Sequence, residues 1–332
     1  MSLVPYNIEM EFTPFGFNNL GATCYFNAML QSLLSCTSFT SELLKNEKNK
    51  KYNENPIARK LIELIKAALS LKESISDNHQ EHLIKLNLSN LSPNVWKEMV
   101  MFLCKKNGVK IQQFMAGQQC AGEGFHCLLE SLDNCNAIQN IFLHRYKFMI
   151  YCDDCNKCVS TVDSMNNLFE VQPDLKTEQL EKFKRYDKVC LGDNSEYDNQ
   201  GMNMFLAKQS GYVDKFYICP ECKKDGEKYK ISYLVMFPEV LVILSKKYTS
   251  ERKLHINTEF PKTLEFAGLD SNTKIKYEAV SQIEHSGSLE SGHYWAISRR
   301  NDGWYKLNDN SVTKSEFNPT ENTYIVFYHL VG

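Results

Sequence analysis

Apolar residues recur at the helical period through the first third of the chain. From residue 24 to residue 34 they fall every three or four positions, which predicts a helix that begins near Cys24. The same spacing predicts a helix over residues 57–71 and another over residues 125–132. Residues 73–94 are rich in Ser, Asn and isolated Leu, so we expect mixed loop and short helix there. The N-terminal part is therefore predicted to be mainly helical.

From about His144 the apolar pattern changes to the period of β-strands. The segments YKFMIY and YVDKFYI each lead into a pair of cysteines, and VLVIL, IKYEAVSQI, HYWAIS and TYIVFYH follow, all rich in aromatic and β-branched residues. Residues 182–201 are polar, and we expect an exposed excursion from the β part there. Helices first and strands later predict an α+β fold.

Length and composition restrict the domain organisation, the class of partner and the cellular location that we expect. A chain of 332 residues with 43% hydrophobic residues can form one catalytic domain with subdomains, and its formal charge of -2 favours neither nucleic acid nor a membrane as partner. We find neither a basic stretch followed by an apolar leader nor an apolar run long enough to cross a bilayer. The twelve cysteines are therefore expected to be reduced thiols, metal ligands or a nucleophile in a cytoplasmic or nuclear protein.

Two segments distant in sequence together contain the groups of a cysteine-nucleophile hydrolase. They are GFNNLGATCYFNAMLQSLL around Cys24 and SGHYWAISRRNDGWYKLNDNS around His293. A cysteine nucleophile needs a base within hydrogen-bond reach, and a third side chain orients that base. The small residues before His293 predict a loop that leads into its strand, and WYKLNDN predicts an antiparallel return. Either Asn308 or Asp309 would then lie beside the imidazole.

The position of Cys24 at a helix N-terminus predicts a lowered thiol pKa, because unpaired N–H groups and the helix dipole stabilise a thiolate. Asn19 could donate a side-chain N–H to the oxyanion that forms when sulfur attacks a carbonyl. The alternative is a buried structural cysteine, which describes most free cysteines. His285 illustrates the same alternative for histidine, with a supporting role near His293 left open.

Two C-x-x-C pairs form a separate constellation. Such pairs at the ends of strands can present four thiolates tetrahedrally to zinc, at about 2.3 Å, and a site filled by four protein ligands is structural. Cys158 could compete as a ligand, and four structural cysteines without metal remain an alternative. A redox or nucleic-acid role is disfavoured, since no βαβ context and no basic stripe surround the pairs. The expected zinc ligands are Cys152, Cys155, Cys219 and Cys222.

Both segments resemble the Cys and His boxes of the ubiquitin-specific proteases, which are papain-like deubiquitinases. The pattern G-[LF]-x-N-L-G-A-T-C-Y-x-N is met over residues 16–27, and the second box is met over residues 277–309. QQCAGEGFHCLLESL and FPEVLVILSKKY resemble further landmarks, so the resemblance spans nearly the whole chain. The departures are Cys120 at an acidic position, Gly124 at an aromatic position, and residues 245–248 in place of L-K-R-F.

The resemblance implies a papain-like cysteine protease fold in a single catalytic domain over residues 1–332. Its subdomains would be a helical thumb over residues 1–143, fingers with a zinc ribbon over residues 144–236, and a β-rich palm with the His box over residues 237–332. The implied activity is thiol-dependent hydrolysis of the (iso)peptide bond after the C-terminal Gly of ubiquitin. The implied partners are ubiquitin, or a ubiquitin-like modifier, and its conjugates.

The resemblance also implies residue roles. Cys24 would be the nucleophile, His293 the base and acid, and Asn308 the residue that orients His293. Asn19 would donate to the oxyanion, and Asp309 would be a nearby polarising carboxylate. Zn2+ would be a structural cofactor. A protease for another modifier and a catalytically silent ubiquitin-binding scaffold are the alternatives. The implied substrate-binding residues are Gln119, Glu123, Ser286, Gly287, Gly292 and Tyr294.

Overall fold

The structure is a computed structural model that describes most of the chain. The described residues are 12–73, 78–108, 119–171, 211–214, 218–226, 228–248, 253, 258–267, 274–288 and 291–331. The polar excursion predicted at residues 182–201 lies outside them.

Helices fill the N-terminal part of the described chain, as the periodicity predicts. They are α1 (Cys24–Leu34), α2 (Thr37–Lys45), α3 (Lys50–Glu54), α4 (Pro56–Glu73), α5 (Asn78–Asn107), α6 (Ala121–Ser131) and α7 (Asn136–Phe142). The helices predicted at residues 24–34, 57–71 and 125–132 are confirmed as α1, α4 and α6. Every residue of α1 is buried, so this helix runs through the core.

The expectation of mixed loop and short helix is wrong for residues 78–94, because one long helix, α5, covers them and continues past Pro93, whereas residues 74–77 lie outside the described residues. Ser and Asn disfavour a helix locally by offering the backbone other hydrogen bonds. However, Leu88, Leu91 and Val95 lie at helical spacing and are buried, and α5 packs along α4. Burial of this apolar face outweighs the weak local propensity.

Strands follow in the described residues beyond α7. They are β1 (His144–Cys152), β2 (Lys157–Asn166), β3 (Phe169–Val171), β4 (Gly211–Asp214), β5 (Lys228–Met236), β6 (Val240–Ser245), β7 (Thr263–Ala267), β8 (Lys274–Gly287), β9 (Gly292–Arg300), β10 (Gly303–Asn308), β11 (Ser311–Ser315) and β12 (Thr323–Leu330). The predicted strands are therefore confirmed, although residues 215–217 of YVDKFYI lie outside the described residues and β4 ends at Asp214.

The strands form two sheets. The smaller has the order β2-β1-β5-β4, with antiparallel neighbours throughout. The larger has the order β11-β10-β9-β8-β12-β6-β3, with β7 beside β8, and its β3–β6 pair is parallel. Helix α1 packs against β9 of the larger sheet, so the two predicted catalytic segments lie next to each other.

The loop before α1 touches the turn between β10 and β11. A Cβ atom at Gly16 would lie 2.6 Å from the Cα atom of Asn310, so only glycine permits this approach. The backbone N–H of Phe17 donates to the carbonyl of Asp309 over 2.9 Å. The Cys and His segments are thus joined through their backbones. In the part of the chain that the structure describes, no helix has both the length and the apolar character that a membrane crossing requires.

Candidate active site

Cys24 is the first residue of α1 and only 4% exposed. Burial raises the pKa of its thiol, while the backbone N–H groups of Tyr294 and Tyr25 act in the opposite direction and the charge of Asp309 raises the pKa further. The expectation of a lowered pKa is wrong because burial outweighs the N–H groups of the helix start. The resting group is therefore a thiol, and a base must remove its proton before sulfur can attack.

His293 is the second residue of β9, one position before Tyr294, whose N–H faces the Cys24 sulfur. Its Nε2–H donates to the Oδ1 atom of Asn308 over 2.5 Å. Because Nε2 carries the proton in this bond, the lone pair of a neutral ring lies on Nδ1. The Asn308 contact therefore selects the tautomer in which Nδ1 can accept a proton.

Asp309 occupies the turn that follows β10, in the left-handed region with φ of 50°. Its carboxylate accepts hydrogen bonds from Nδ2 of Asn19 over 2.9 Å and from Nδ2 of Asn27 over 2.8 Å. The nearer oxygen lies 3.9 Å from Nε2 of His293. Asn308 therefore orients the imidazole directly, whereas Asp309 binds the two asparagines of the Cys box.

Asn19 lies in the loop before α1 with its side-chain amide held at both ends. Its Oδ1 atom accepts from the N–H of Gly21 over 2.9 Å and of Thr23 over 3.1 Å. Its Nδ2 group donates one hydrogen to Asp309. An amide nitrogen has two hydrogens, so within the described part of the chain one N–H of Asn19 can donate to an oxyanion.

His285 pairs with Tyr294 across β8 and β9 and is buried. Its Nδ1 atom shares a hydrogen bond with the hydroxyl of Tyr248, and its carbonyl accepts from Lys253 over 2.7 Å. Burial, helped by the charges of Lys253 and His293, lowers its pKa to about 4. His285 is therefore neutral near pH 7, and its ring supports Tyr294 with centroids 4.3 Å apart.

The β8–β9 hairpin places Ser286 opposite His293 and Gly287 opposite Gly292. Gly287 has φ of 130°, and a Cβ atom there would lie 2.4 Å from Gly292. A Cβ atom at Gly292 would lie 2.3 Å from Nε2 of His285. Both glycines are therefore needed for this tight approach beside His293, and Ser286 is exposed at the same edge.

Within the QQCAGEGF segment, Ala121 is the first residue of α6. Glu123 is exposed in its first turn and close enough to raise the pKa of Tyr25, whereas Gln119 precedes the helix and is half-buried. Cys120 shares a hydrogen bond of 2.9 Å with the hydroxyl of Tyr324. A Cβ atom at Gly124 would lie 2.8 Å from the Tyr25 ring, so no aromatic side chain fits there without rearrangement.

The four predicted ligand cysteines meet at one end of the smaller sheet. Their sulfur atoms all lie within 4.8 Å of one another. The Cys152–Cys222 and Cys155–Cys219 sulfur pairs are each 3.8 Å apart. Bonds of about 2.3 Å from zinc to sulfur give tetrahedral edges of about 3.8 Å, so these residues fit a metal ion. Cys158 lies on β2 outside this group.

Sequence reasoning missed the role of two buried polar residues. Asn27, on α1, and Ser92, on α5, are joined by a hydrogen bond of 2.6 Å from the Ser92 hydroxyl to Oδ1 of Asn27. A polar residue within the otherwise apolar stripe that follows Cys24 was the available signal. The hydrogen-bond partners of Asn27 could not be inferred, because they lie on elements distant in sequence.

A helical layer on a large sheet, with Cys24 at a helix start and His293 on the facing strand, is the arrangement of a papain-like fold. A family model described as ubiquitin carboxyl-terminal hydrolase matches residues 15–328, which include both segments. The chain belongs to the ubiquitin carboxyl-terminal hydrolase family.

Curated relatives carry the same description. Ubiquitin carboxyl-terminal hydrolase 26 of Arabidopsis thaliana is 23% identical over 327 residues, which cover 92% of this chain and 26% of the relative. Ubiquitin carboxyl-terminal hydrolase 21 of Homo sapiens is 25% identical over 204 residues, which cover 58% of this chain and 34% of the relative. The matched regions thus span about a quarter to a third of the length of these relatives.

Solved structures confirm the α+β, papain-like fold class. The SAGA DUB module of Ubp8, Sgf11, Sus1 and Sgf73 bound to monoubiquitin contains a chain that matches with a TM-score of 0.63 at 19% identity, covering 96% of this chain and 69% of that chain. The module bound to ubiquitin aldehyde matches with a TM-score of 0.61 at 17% identity, covering 98% and 71%.

Proposed function

We propose that the chain is a thiol-dependent deubiquitinase that hydrolyses the (iso)peptide bond after the C-terminal Gly of ubiquitin. The observation that carries the proposal is the hydrogen bond between Nε2 of His293 and Asn308, which leaves Nδ1 as the proton acceptor on the strand that faces Cys24. Family membership and ubiquitin-bound structural neighbours support the same substrate.

The reaction would begin with transfer of the Cys24 proton to Nδ1 of His293. Sulfur then attacks the Gly carbonyl, and the resulting oxyanion accepts the second N–H of Asn19 together with backbone N–H groups. The imidazolium of His293 protonates the leaving lysine amine as the carbon–nitrogen bond breaks. Water, deprotonated by His293, attacks the thioester, and collapse of the intermediate releases the Gly carboxylate and restores the thiol.

The extended C-terminal tail of ubiquitin would reach the sulfur along the β8–β9 hairpin. Ser286, Gly287, Gly292 and Tyr294 would line this path, and the exposed carboxylate of Glu123 on α6 would contact the tail, as would Gln119. Two glycines at the hairpin allow a substrate backbone to approach His293 closely. The globular body of ubiquitin would rest between the fingers, residues 144–236, and the helical thumb, residues 1–143, with residues 237–332 as the palm.

The four-cysteine group would hold one structural Zn2+. Four protein thiolates leave no coordination position open, so a bound zinc ion would stabilise the tip of the smaller sheet rather than take part in hydrolysis. A cytoplasmic or nuclear location would keep these thiols reduced.

Hydrolysis of a ubiquitin C-terminal aminocoumarin amide tests the proposal. Wild-type protein should release aminocoumarin, and Cys24→Ala should abolish release while ubiquitin binding persists. Asn308→Ala should lower kcat by about 10- to 1000-fold, because the imidazole loses its fixed tautomer. The matched control is Cys36→Ala, which removes another buried thiol next to the C-terminal end of α1 and should keep activity. Turnover by the Cys24→Ala variant would contradict the assignment.

A further inference from the structure

Asn27 lies one helical turn after Cys24 on α1 and is 2% exposed. Its Nδ2 group donates to Oδ1 of Asp309 over 2.8 Å and to the carbonyl of Asn18 over 3.1 Å. Its Oδ1 atom accepts from the Ser92 hydroxyl over 2.6 Å. Both amide hydrogens and the amide oxygen are therefore bonded, and a fully satisfied buried group of this kind holds one orientation.

The same carboxylate connects Asn27 to Asn19. Asn27 binds one oxygen of Asp309, and Nδ2 of Asn19 binds the other over 2.9 Å. Rotation of the carboxylate would break both bonds. Because Asn27 and Cys24 lie on the same helix, this bridge fixes the Asn19 amide relative to the sulfur.

Helix α5 also supports this arrangement. The side chain of Asn18 donates to Oδ1 of Asn90 over 2.7 Å, and its backbone N–H donates to the carbonyl of Ser89 over 2.8 Å. Ser92, one turn after Ser89, binds Asn27. The loop that carries Asn19 is thus bonded both to α5 and to Asp309.

We infer that Asn27 is a positioning residue for hydrolysis, which acts through Asp309 to hold the oxyanion donor Asn19 in its direction. The inference rests on the proposed function, in which Asn19 stabilises the oxyanion. Asn27 itself does not touch the reacting atoms. Its loss should therefore lower kcat more than it raises KM, since only the transition state needs the aligned N–H.

A double-mutant cycle on hydrolysis of the ubiquitin aminocoumarin amide tests this inference. Asn19→Ala and Asn27→Ala should each lower kcat by about 10- to 100-fold, with KM changed by less than about threefold. The double variant should fall within about threefold of Asn19→Ala alone, because Asn27 has nothing left to position. If the kcat loss of the double variant equals the product of the two single losses, the inference is overturned. An inactive wild-type protein would instead reject the proposed function, so the two failures are distinguishable.

Asn55 provides a matched control for lost burial and lost hydrogen bonds. It is 5% exposed, donates to the carbonyl of Ser131, and accepts from the N–H groups of Ile57 and Ala58. Asn55→Ala also removes three hydrogen bonds, so it should lower the unfolding midpoint comparably and keep kcat within about twofold. If Asn55→Ala lowers kcat as much as Asn27→Ala does, both losses result from general destabilisation and the inference is overturned.

Ser92→Ala serves as a second variant should Asn27→Ala fail to fold. It removes the donor to Oδ1 of Asn27 and leaves the Asn27 amide in place. It should lower kcat by about threefold in the wild-type background and have no effect in the Asn19→Ala background. An equal loss in both backgrounds would overturn the inference.

Discussion

The backbone N–H of Asn18 donates to the carbonyl of Ser89 over 2.8 Å. In an uninterrupted α-helix that carbonyl would accept from the residue four positions later, which here is Pro93. Proline has no N–H, so the Ser89 carbonyl is left for another donor. The proline inside α5 therefore provides the attachment point for the loop that carries Asn19.

Pro93→Ala should separate stability from activity. The new N–H competes for the Ser89 carbonyl, so the helix should gain stability, since an interior proline costs about 3 kcal/mol relative to alanine. Asn18 should lose part of its attachment, and we expect kcat to fall about threefold as the Asn19 loop loosens. Thermal unfolding and aminocoumarin release measure the two effects.

Ser70→Ala on α4 is the control for Pro93→Ala. Its hydroxyl bonds the carbonyl of Ala67 within its own helix, so the change improves helix propensity without touching the Asn19 loop. It should leave kcat unchanged. A Pro93→Ala variant with raised stability and undiminished kcat would contradict the role of the Ser89 carbonyl.

Arg300 ties the end of β9 to the C-terminal end of α1. Its guanidinium donates to the carbonyl and to Oε1 of Gln31 over 3.1 and 2.6 Å, and to the Ser35 hydroxyl over 2.5 Å. Burial lowers its pKa, and the negative end of the helix dipole favours the cation. Because α1 and β9 begin beside each other at Cys24 and Tyr294, Arg300 fixes the far end of the same pair of elements.

Arg300→Ala should lower the free energy of unfolding by about 3 kcal/mol, because several buried acceptors lose a charged donor. Arg299→Ala is the matched control. The side chain of Arg299 is 46% exposed and meets Glu278 at 3.5 Å, so its loss should cost less than about 1 kcal/mol. Urea unfolding measures both variants, and equal losses would contradict the role given to Arg300.

His144 should make the fold sensitive to acid. It is buried between the rings of Tyr146 and Phe169, and its Nε2 atom has no hydrogen-bond partner among the described residues. Burial lowers its pKa to about 4. The unfolded state, with a histidine pKa near 6.5, therefore binds a proton that the fold excludes, and stability is lost as the pH falls from about 6.5 towards 4.

His144→Phe should remove this dependence, since a phenyl ring keeps the aromatic contacts and takes no proton. Relative to the wild-type protein, the variant should gain about 2 kcal/mol between pH 7.5 and pH 5. Urea unfolding at the two pH values measures the gain. Parallel pH dependences of the two proteins would contradict the assignment.

Metal removal should act on the smaller sheet. Purified protein is expected to contain about one zinc ion per chain, and Cys219→Ser should abolish stoichiometric zinc in elemental analysis. Cys158→Ser is the control, because Cys158 lies outside the four-cysteine group and its loss should leave the zinc content unchanged. Full zinc retention by the Cys219→Ser variant would contradict the proposed ligand set.

Regular periodicity made much of the fold predictable from the sequence. The apolar stripe of α1 predicts a helix with a buried face, the alternation along β9 predicts a half-buried strand, and the continuous apolar run of β12 predicts a fully buried strand. Helix α5 could not be predicted, since the Ser and Asn residues before Pro93 disfavour a helix that only packing against α4 explains.

The candidate site was also only partly predictable from the sequence. The pairing of distant Cys and His boxes follows from the chemistry of a thiol nucleophile, but the choice between Asn308 and Asp309 depends on a shift of one residue along β10. The raised pKa of Cys24 also escaped prediction, because it depends on burial by elements far away in the chain.

Capture of Cys24 by a ubiquitin C-terminal electrophile tests the central claim most directly. Wild-type protein should gain the mass of one ubiquitin at Cys24, located by peptide mass spectrometry, and Cys24→Ala should gain none. The same electrophile on other ubiquitin-like modifiers should label more slowly. If Cys24 reacts only with the electrophile of a different ubiquitin-like modifier, that modifier is the substrate in place of ubiquitin. Folded wild-type protein that binds ubiquitin but leaves Cys24 unmodified would contradict the account and indicate a silent scaffold.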